Sequence, residues 1–298
     1  MSLPANPSVL VIYNARSGTQ SDENFQNLVH EKSQHYHFHY RLYELEKEGC
    51  EGSIIKLIED FQPDFLIAAG GDGTLNLVAQ IAPKFELPVL ILPAGSANGM
   101  ARELAIPNNI NAALDILADY KIRSIDLLTI NDSTCVHLAD VGLNARIVKR
   151  FEEDPKRGLS TYARYLWREI FLITSRRFTI HYDGKVIRRK AVSITFANAS
   201  KYGTGAVINP TGKIDDGKFE LCIVKPFPRL KIFSLAWKMF RGTLQTSEYF
   251  EVISCSKAQL TSKKSIGLQI DGEVIGKVKK ITISINPLAL KLILPAVT

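Results

Sequence analysis

An aspartate set among glycines, Gly70-Gly71-Asp72-Gly73-Thr74, is the arrangement in this chain best suited to chemistry. It follows the apolar run Phe65-Leu66-Ile67-Ala68-Ala69 and leads into Leu75-Asn76-Leu77-Val78-Ala79, which reads as strand, tight loop and helix. Glycines let the backbone approach a ligand without a Cβ clash. The helix behind them offers unpaired N–H groups and a positive dipole end to an anion. A carboxylate beside a phosphate is repelled unless a cation or proton lies between them. Asp72 therefore points to metal-assisted phosphate chemistry; the bland alternative is a turn with an aspartate cap. The spacing matches neither G-x-G-x-x-G nor G-x-x-x-x-G-K-[ST], which sets aside the usual dinucleotide and P-loop mechanisms for this loop.

Two further loops of anion-friendly composition follow short apolar runs. Asn14-Ala15-Arg16-Ser17-Gly18 follows Val9 to Tyr13, and Pro93-Ala94-Gly95-Ser96-Ala97-Asn98-Gly99 follows Val89 to Leu92. A polar helical stretch, a strand near Tyr36 to Tyr43 and a helix from Ser53 to Phe61 complete an alternation of strand and helix. Short buried strands separated by helices predict a parallel, doubly wound α/β sheet over residues 1–128. Ligands bind at the carboxyl ends of such strands, where all three loops fall.

From residue 129 to 288 the pattern changes to alternating apolar and polar residues, at Phe178 to Tyr182, Val192 to Asn198, Phe219 to Val224 and Ile281 to Ile285. Asp183-Gly184, Asp216-Gly217 and Asp271-Gly272 punctuate them as hairpin-type turns. An antiparallel β-sandwich is expected, with helices near Tyr162 to Ser175 and Leu230 to Arg241. The apolar piece Leu290 to Leu294 is expected to return to the first domain as a last strand, so that 289–298 completes it. His35, His37 and His39 alternate with aromatics. On a strand they would share a face, which suits an exposed surface better than a metal site.

The chain of 298 residues is 46% hydrophobic and 22% charged, an ordinary globular balance. No run approaches a membrane span and the N-terminus shows no signal peptide, so a cytoplasmic protein is expected. Four scattered cysteines read as buried free thiols. The net charge of +7 is unevenly placed: residues 146–190 hold 13 Lys/Arg against 5 Asp/Glu. Pro226 to Gly242 interleaves Phe233, Trp237 and Phe240 with Arg229, Lys231, Lys238 and Arg241. Core packing explains part of such a helix. The rival reading is transient attachment to an anionic membrane surface. Nucleic acid is not the expected partner, since no recognised binding module accompanies the charge.

Taken together, these residues resemble the diacylglycerol kinase catalytic-domain superfamily, which includes bacterial lipid kinases and the sphingosine and ceramide kinases. The resemblance is carried by Asn14 to Gly18, Gly70 to Thr74, Leu92 to Asn98, Val141 to Ala145, Asp215 to Leu221 and Asp271-Gly272-Glu273, in family order across nearly the whole chain. Ala15, Asn144 and Gly99 depart from the family pattern. The resemblance implies a nucleotide-binding α/β domain and a β-sandwich, with the active site in the interdomain cleft. It implies transfer of the ATP γ-phosphate to a lipid hydroxyl with Mg²⁺. Asn14, Arg16, Ser17, Gly70, Gly71, Asp72, Gly73, Thr74, Gly95, Ser96 and Asn98 would hold the nucleotide. Asp72 would bind metal, and a second Mg²⁺ would sit at Asp216 with the backbone carbonyls of Lys213 and Lys218. Asp271 would take the hydroxyl proton with Glu273 beside it, and Asp72 is the alternative base. The protein would work peripherally at the inner face of the membrane, and a homodimer stays open. A soluble-substrate kinase of the NAD kinase type and a catalytically silent nucleotide-binding protein are the competing expectations.

Overall fold

A computed structural model describes residues 3–15, 22–46, 50–142 and 174–296. Within it the chain forms two compact units, Met1–Ile125 with Leu288–Thr298, and Asp126–Pro287.

The first unit is α/β. Strands β1 (Ser8–Tyr13), β2 (His39–Glu44), β3 (Phe65–Gly70) and β4 (Val89–Pro93) pair in parallel in the order β4-β3-β1-β2. Leu292, near the end of the chain, pairs in parallel with Val89 of β4. Strands β3 and β4 are buried at every position, which is why they read as unbroken apolar runs rather than alternating ones. Around them lie α1 (Asp22–Tyr36), α2 (Cys50–Phe61), α3 (Asp72–Ile81), α4 (Gly99–Glu103) and α5 (Ile110–Leu114). In α1 the buried positions Phe25, Val29 and Ser33 recur every four residues, and in α3 Leu75, Val78 and Ala79 share the core side at i, i+3 and i+4.

The expected strand from Tyr36 is corrected here. Helix α1 continues through Tyr36, the chain turns at His37 with φ of 53°, and β2 begins only at His39. The helical period of Phe25, Val29 and Ser33 wins over the alternation of His35, His37 and His39, so those imidazoles share no strand face. The helix expected near Tyr162 to Ser175 lies almost wholly outside the described residues.

The second unit is antiparallel β. Its strands are the later part of β5 (Tyr120–Ile130), β6 (Ser133–Cys135), β7 (Leu138–Gly142), β8 (Arg176–Tyr182), β9 (Lys185–Ala191), β10 (Ser193–Ala197), β11 (Phe219–Val224), β12 (Phe250–Cys255), β13 (Lys257–Ile270) and the earlier part of β14 (Glu273–Pro295), whose residues from Leu288 belong to the first unit. They run in the order β12-β11-β10-β7-β13-β14, with β8 on β13 and β9 on β8. A core of Phe178, Ile180, Phe196, Phe219, Leu260, Leu268, Ile281 and their neighbours lies on one side of these strands. Asp183-Gly184 and Asp271-Gly272 are two-residue hairpin loops with positive φ at both residues, the twist that antiparallel neighbours require. Asp216-Gly217 is different: it lies in the long connection between β10 and β11 and joins no hairpin.

Helix α6 (Lys231–Phe240) buries Ile232 and Leu235, and Leu235 joins a second core with Leu138, Ile208, Cys222 and Phe250. All four cysteines are buried free thiols. Among the described residues no helix is long and apolar enough to cross a membrane.

Candidate active site

At the carboxyl end of β3 the chain has no room for a side chain at Gly70. A Cβ there would fall 2.2 Å from Thr74 Oγ1, so Thr74 packs, buried, directly over the glycine. Gly71 is the N-cap of α3 and supplies no side-chain cap. Asp72 follows as the first helical residue, where a negative charge is favoured by the helix dipole. Its Oδ2 accepts the Gly99 N–H at 3.0 Å and its Oδ1 the Met100 N–H at 3.3 Å. One carboxylate thus ties the start of α3 to the start of α4.

The loop after β4 is shaped to receive it. Asn98, at φ of 48°, closes a local ring in which Oδ1 accepts the Gly95 N–H at 2.9 Å and Nδ2 donates to the Gly95 carbonyl at 2.8 Å. Gly95 lies against Gly71, and a Cβ on Gly95 would meet the Gly71 Cα at 2.5 Å. The Ala94 N–H donates to the Gly70 carbonyl and the Asn14 N–H to the Ala69 carbonyl, so all three loops are stitched at the ends of β1, β3 and β4.

A cavity of about 430 Å³ opens beside these loops. Its lining includes the expected residues Asn14, Gly95, Ser96 and Asn98. It also includes Tyr13, Asp22, Arg102, Asn108 and Asn109, which the sequence reading missed. Asn108-Asn109 stands after Pro107, a turn signal, and Asn109 caps α5 by accepting the Ala112 N–H. Arg102, four residues past Asn98 on α4, carried no distinguishing pattern. Gly70, Gly71, Asp72, Gly73 and Thr74 do not line the cavity; Gly71 and Asp72 instead hold the Gly95–Met100 segment that does. Burial first, then the carboxylates of Glu44 and Asp22, raise the Tyr13 hydroxyl above its ordinary value against a lowering hydrogen bond from Gln26. Arg16 and Ser17 lie outside the described residues.

In the second unit, Asp271 turns its carboxylate onto the link between β6 and β7. Oδ2 accepts the Val136 N–H at 2.8 Å; Oδ1 accepts the N–H groups of His137 and Leu138 at 2.9 and 3.1 Å, and the Cys135 thiol at 3.3 Å. Burial and the adjacent Asp271 charge push the Cys135 thiol well above its usual value. Beside the turn runs a buried polar chain that the sequence did not disclose. Gln269 accepts the Gly272 N–H and donates to Asp140 Oδ2 at 2.5 Å, while Asp140 Oδ1 accepts the hydroxyls of Thr195 and Tyr202. Glu273 is exposed at the start of β14, opposite Ile270.

The Asp216 turn is held by another buried acid. Asp126 Oδ2 accepts the Gly217 N–H at 2.8 Å and the Asp126 N–H donates to the Ile214 carbonyl. Asp216 itself is exposed and accepts the Lys218 N–H at 3.1 Å; Lys213 and Lys218 also reach solvent. Asn198 joins the two turns, donating from Nδ2 to the carbonyls of Asp126 and Val136 at 2.8 Å each. Among the described residues no group of three or more His, Cys, Asp or Glu side chains is assembled to cage a metal. The oxygen donors available suit a hard cation that keeps most of its water, such as Mg²⁺, rather than a fully protein-bound one.

Residues 8–130 match the family described as Diacylglycerol kinase catalytic domain, and residues 138–294 match the YegS C-terminal NAD kinase beta sandwich-like domain. A Staphylococcus aureus (strain bovine RF122 / ET3-1) protein described as diacylglycerol kinase is 30% identical over 219 residues, covering 72% of this chain and 69% of that one. A Bacillus subtilis (strain 168) protein of the same description is 28% identical over 219 residues, covering 72% of each. A crystal structure described as a diacylglycerol kinase from Bacillus anthracis str. Sterne shares the fold, with a TM-score of 0.75, 18% identity and 98% of both chains covered. With its α/β first unit, β-rich second unit and ordered glycine loops, the chain belongs to the diacylglycerol kinase catalytic-domain family.

Proposed function

We propose that the protein is an ATP-dependent lipid kinase that transfers the γ-phosphoryl group to the hydroxyl of a diacylglycerol-class lipid at a membrane surface. The observation that carries this reading is the junction of the two glycine loops. Asp72 is fixed between the starts of α3 and α4, directly behind a cavity lined by Asn14, Ser96, Asn98 and Arg102. The names of the relatives, diacylglycerol kinase, support the acceptor class.

Asn14, Ser96 and Asn98 offer polar contacts to the nucleotide, and Arg102 offers a cation to its phosphates. Mg²⁺, when bound, neutralises charge on the phosphoryl oxygens. Asp72 would hold it directly or through water, since each of its oxygens spends one lone pair on a backbone N–H and keeps another. Asp216, with the backbone carbonyls of Lys213 and Lys218, would hold a second, structural ion. In the transfer, the lipid hydroxyl oxygen bonds to the γ-phosphorus as the bond to the bridging oxygen breaks, leaving ADP. The hydroxyl proton passes to Asp271, whose carboxylate is held in place by the N–H groups of Val136, His137 and Leu138. Glu273 stands beside it. Asp72 is the alternative base.

Surface attachment falls to α6. Leu230, Phe233, Trp237 and Phe240 recur along one side of it at 82%, 54%, 63% and 59% exposure, opposite the buried Ile232 and Leu235. Arg241 stacks over the Trp237 ring at 4.7 Å, and Arg229, Lys231 and Lys238 flank the patch in a segment, residues 225–242, that contains no acid. Apolar rings with basic neighbours support the reading that this side meets the interface of an anionic bilayer. On this reading the protein works peripherally, at the cytoplasmic face of a membrane.

The match of the second unit to an NAD kinase-like sandwich favours one other reading, a kinase for a soluble nucleotide. ADP release with ATP and Mg²⁺ separates them. Diacylglycerol, phosphatidylglycerol, sphingosine and ceramide in mixed micelles are compared with NAD in solution. Turnover with NAD alone overturns the lipid reading, and ATP binding without any turnover points to a silent protein.

A further inference from the structure

The second unit carries a sheet face whose charges have no internal use. Phe178 and Ile180 of β8, Leu260 of β13 and Ile281 of β14 point to the core. Their alternates therefore point to the other side. Register places Arg177 of β8 directly opposite Lys190 of β9. The neighbouring row runs Arg188, Thr179, Thr261, Lys280 across four strands. Lys263 follows two residues after Thr261. Strands β8, β9 and β13 contain no Asp or Glu, and the one acid of β14 is Glu273 at its start.

Directly opposed like charges, about 5 Å apart at Cβ, destabilise a strand pair. Yet among the described residues Arg177, Arg188, Lys190, Lys263 and Lys280 have no ion pair and no side-chain hydrogen bond. The contrast is Arg189, which points to the opposite side of β9 and forks onto both oxygens of Glu251 at 2.8 to 3.1 Å. Arginine on this strand is neutralised where it serves the fold and left bare on the outward face. A depression of about 770 Å³ lies there, lined by Arg177, Thr179, Arg188, Lys190, Thr261 and Lys263. Guanidinium forks match phosphate oxygens, lysines add charge, and threonine hydroxyls donate.

We infer that this outward face is a binding site for a phosphate-bearing anion, separate from the nucleotide cavity of the first unit and sharing no residue with it. The anion relieves the repulsion between Arg177 and Lys190 that the fold otherwise bears. Both a free phosphate compound and a phospholipid headgroup have this chemistry. The inference does not depend on phosphoryl transfer and is tested by binding alone.

The thermal midpoint of the full chain is measured in sodium phosphate and in sodium chloride of equal ionic strength, for the wild type and for Arg177→Gln/Lys190→Gln. Sedimentation with vesicles of phosphatidylcholine and phosphatidylglycerol in equal parts is measured in parallel. Losing a repulsive pair, the variant melts in chloride no lower than the wild type. If it melts lower, Arg188→Gln/Lys263→Gln takes its place. For a soluble source, phosphate at about tenfold its dissociation constant raises the wild-type midpoint by about 3 °C beyond chloride and leaves the variant unmoved. For a headgroup source, phosphate does little, but the variant's vesicle affinity falls about tenfold. Wild type and variant responding alike in both arms overturns the inference.

Discussion

The Gly95 backbone rests on the Gly71 backbone so closely that a single methyl group on Gly95 would lie 2.5 Å from the Gly71 Cα and 2.9 Å from Asn98 Oδ1. Both neighbours are fixed, one by the start of α3 and the other by its two hydrogen bonds to Gly95. Gly95→Ala must therefore push the two loops apart. It is expected to cost about 1–3 kcal/mol in urea unfolding and to weaken nucleotide binding more than Gly52→Ala, where a Cβ meets nothing within 4 Å. Equal nucleotide affinity in the two variants would show that the contact does not shape the pocket.

Two acids compete for the proton. Asp72→Asn and Asp271→Asn each put an amide where backbone N–H groups now find a carboxylate, so each variant loses stability. Only loss of the base also lowers kcat by about 10²–10⁴ at saturating Mg²⁺. That signature is expected for Asp271→Asn. Asp72→Asn should instead raise the Mg²⁺ concentration needed for half-maximal rate. The reverse pattern would exchange the two roles.

Much of this site was legible, and the reasons are local. Val9–Tyr13, Phe65–Ala69 and Val89–Leu92 are buried on both sides, so apolar runs marked the strands and glycine clusters marked the loops at their ends. The Asp271-Gly272 hairpin was legible too, because its positive φ values select those residue types. Asp140 was not. It interrupts an apolar strand, and its partners Thr195, Tyr202 and Gln269 stand 55, 62 and 129 residues away, a distance no periodicity spans. The histidine alternation misled because Phe25, Val29 and Ser33 extend the helix across it. In α6 the apolar content was plain, but only packing against Leu138 and Phe250 reveals which side remains outside.

Two carboxyls give opposite pH dependences. Burial raises Glu220 above 4.5, against lowering hydrogen bonds from Asn209 and Ser254. The folded chain then holds this proton more tightly than the unfolded chain, and stability falls as pH rises from the unfolded value through the raised one. The hydrogen bond from Lys32 holds Asp115 below 3.8, so its contribution is present above that value and is lost as pH falls through the depressed one. In urea titrations from about pH 3 to about pH 8, Glu220→Gln should remove the first slope. Lys32→Met should shrink the second, leaving what the Tyr36 hydroxyl supplies, and leave the first unchanged. An unaltered profile in either variant would contradict the corresponding assignment.

Trp237 reports on the outer side of α6. Anionic vesicles should blue-shift its emission, and Trp237→Ser should weaken vesicle binding about tenfold, equivalent to about 1.4 kcal/mol, with little change in thermal midpoint because the ring is exposed. An unchanged spectrum in the presence of vesicles would mean that this side of the helix does not meet lipid.

The central claim is tested most directly by following labelled γ-phosphoryl from ATP. With diacylglycerol in mixed micelles and Mg²⁺, label should enter the organic phase as a phosphorylated lipid, and Asp72→Asn should slow this at least about 10²-fold at limiting Mg²⁺. Label that stays wholly in the aqueous phase and appears on NAD, with the lipid untouched, would contradict the account.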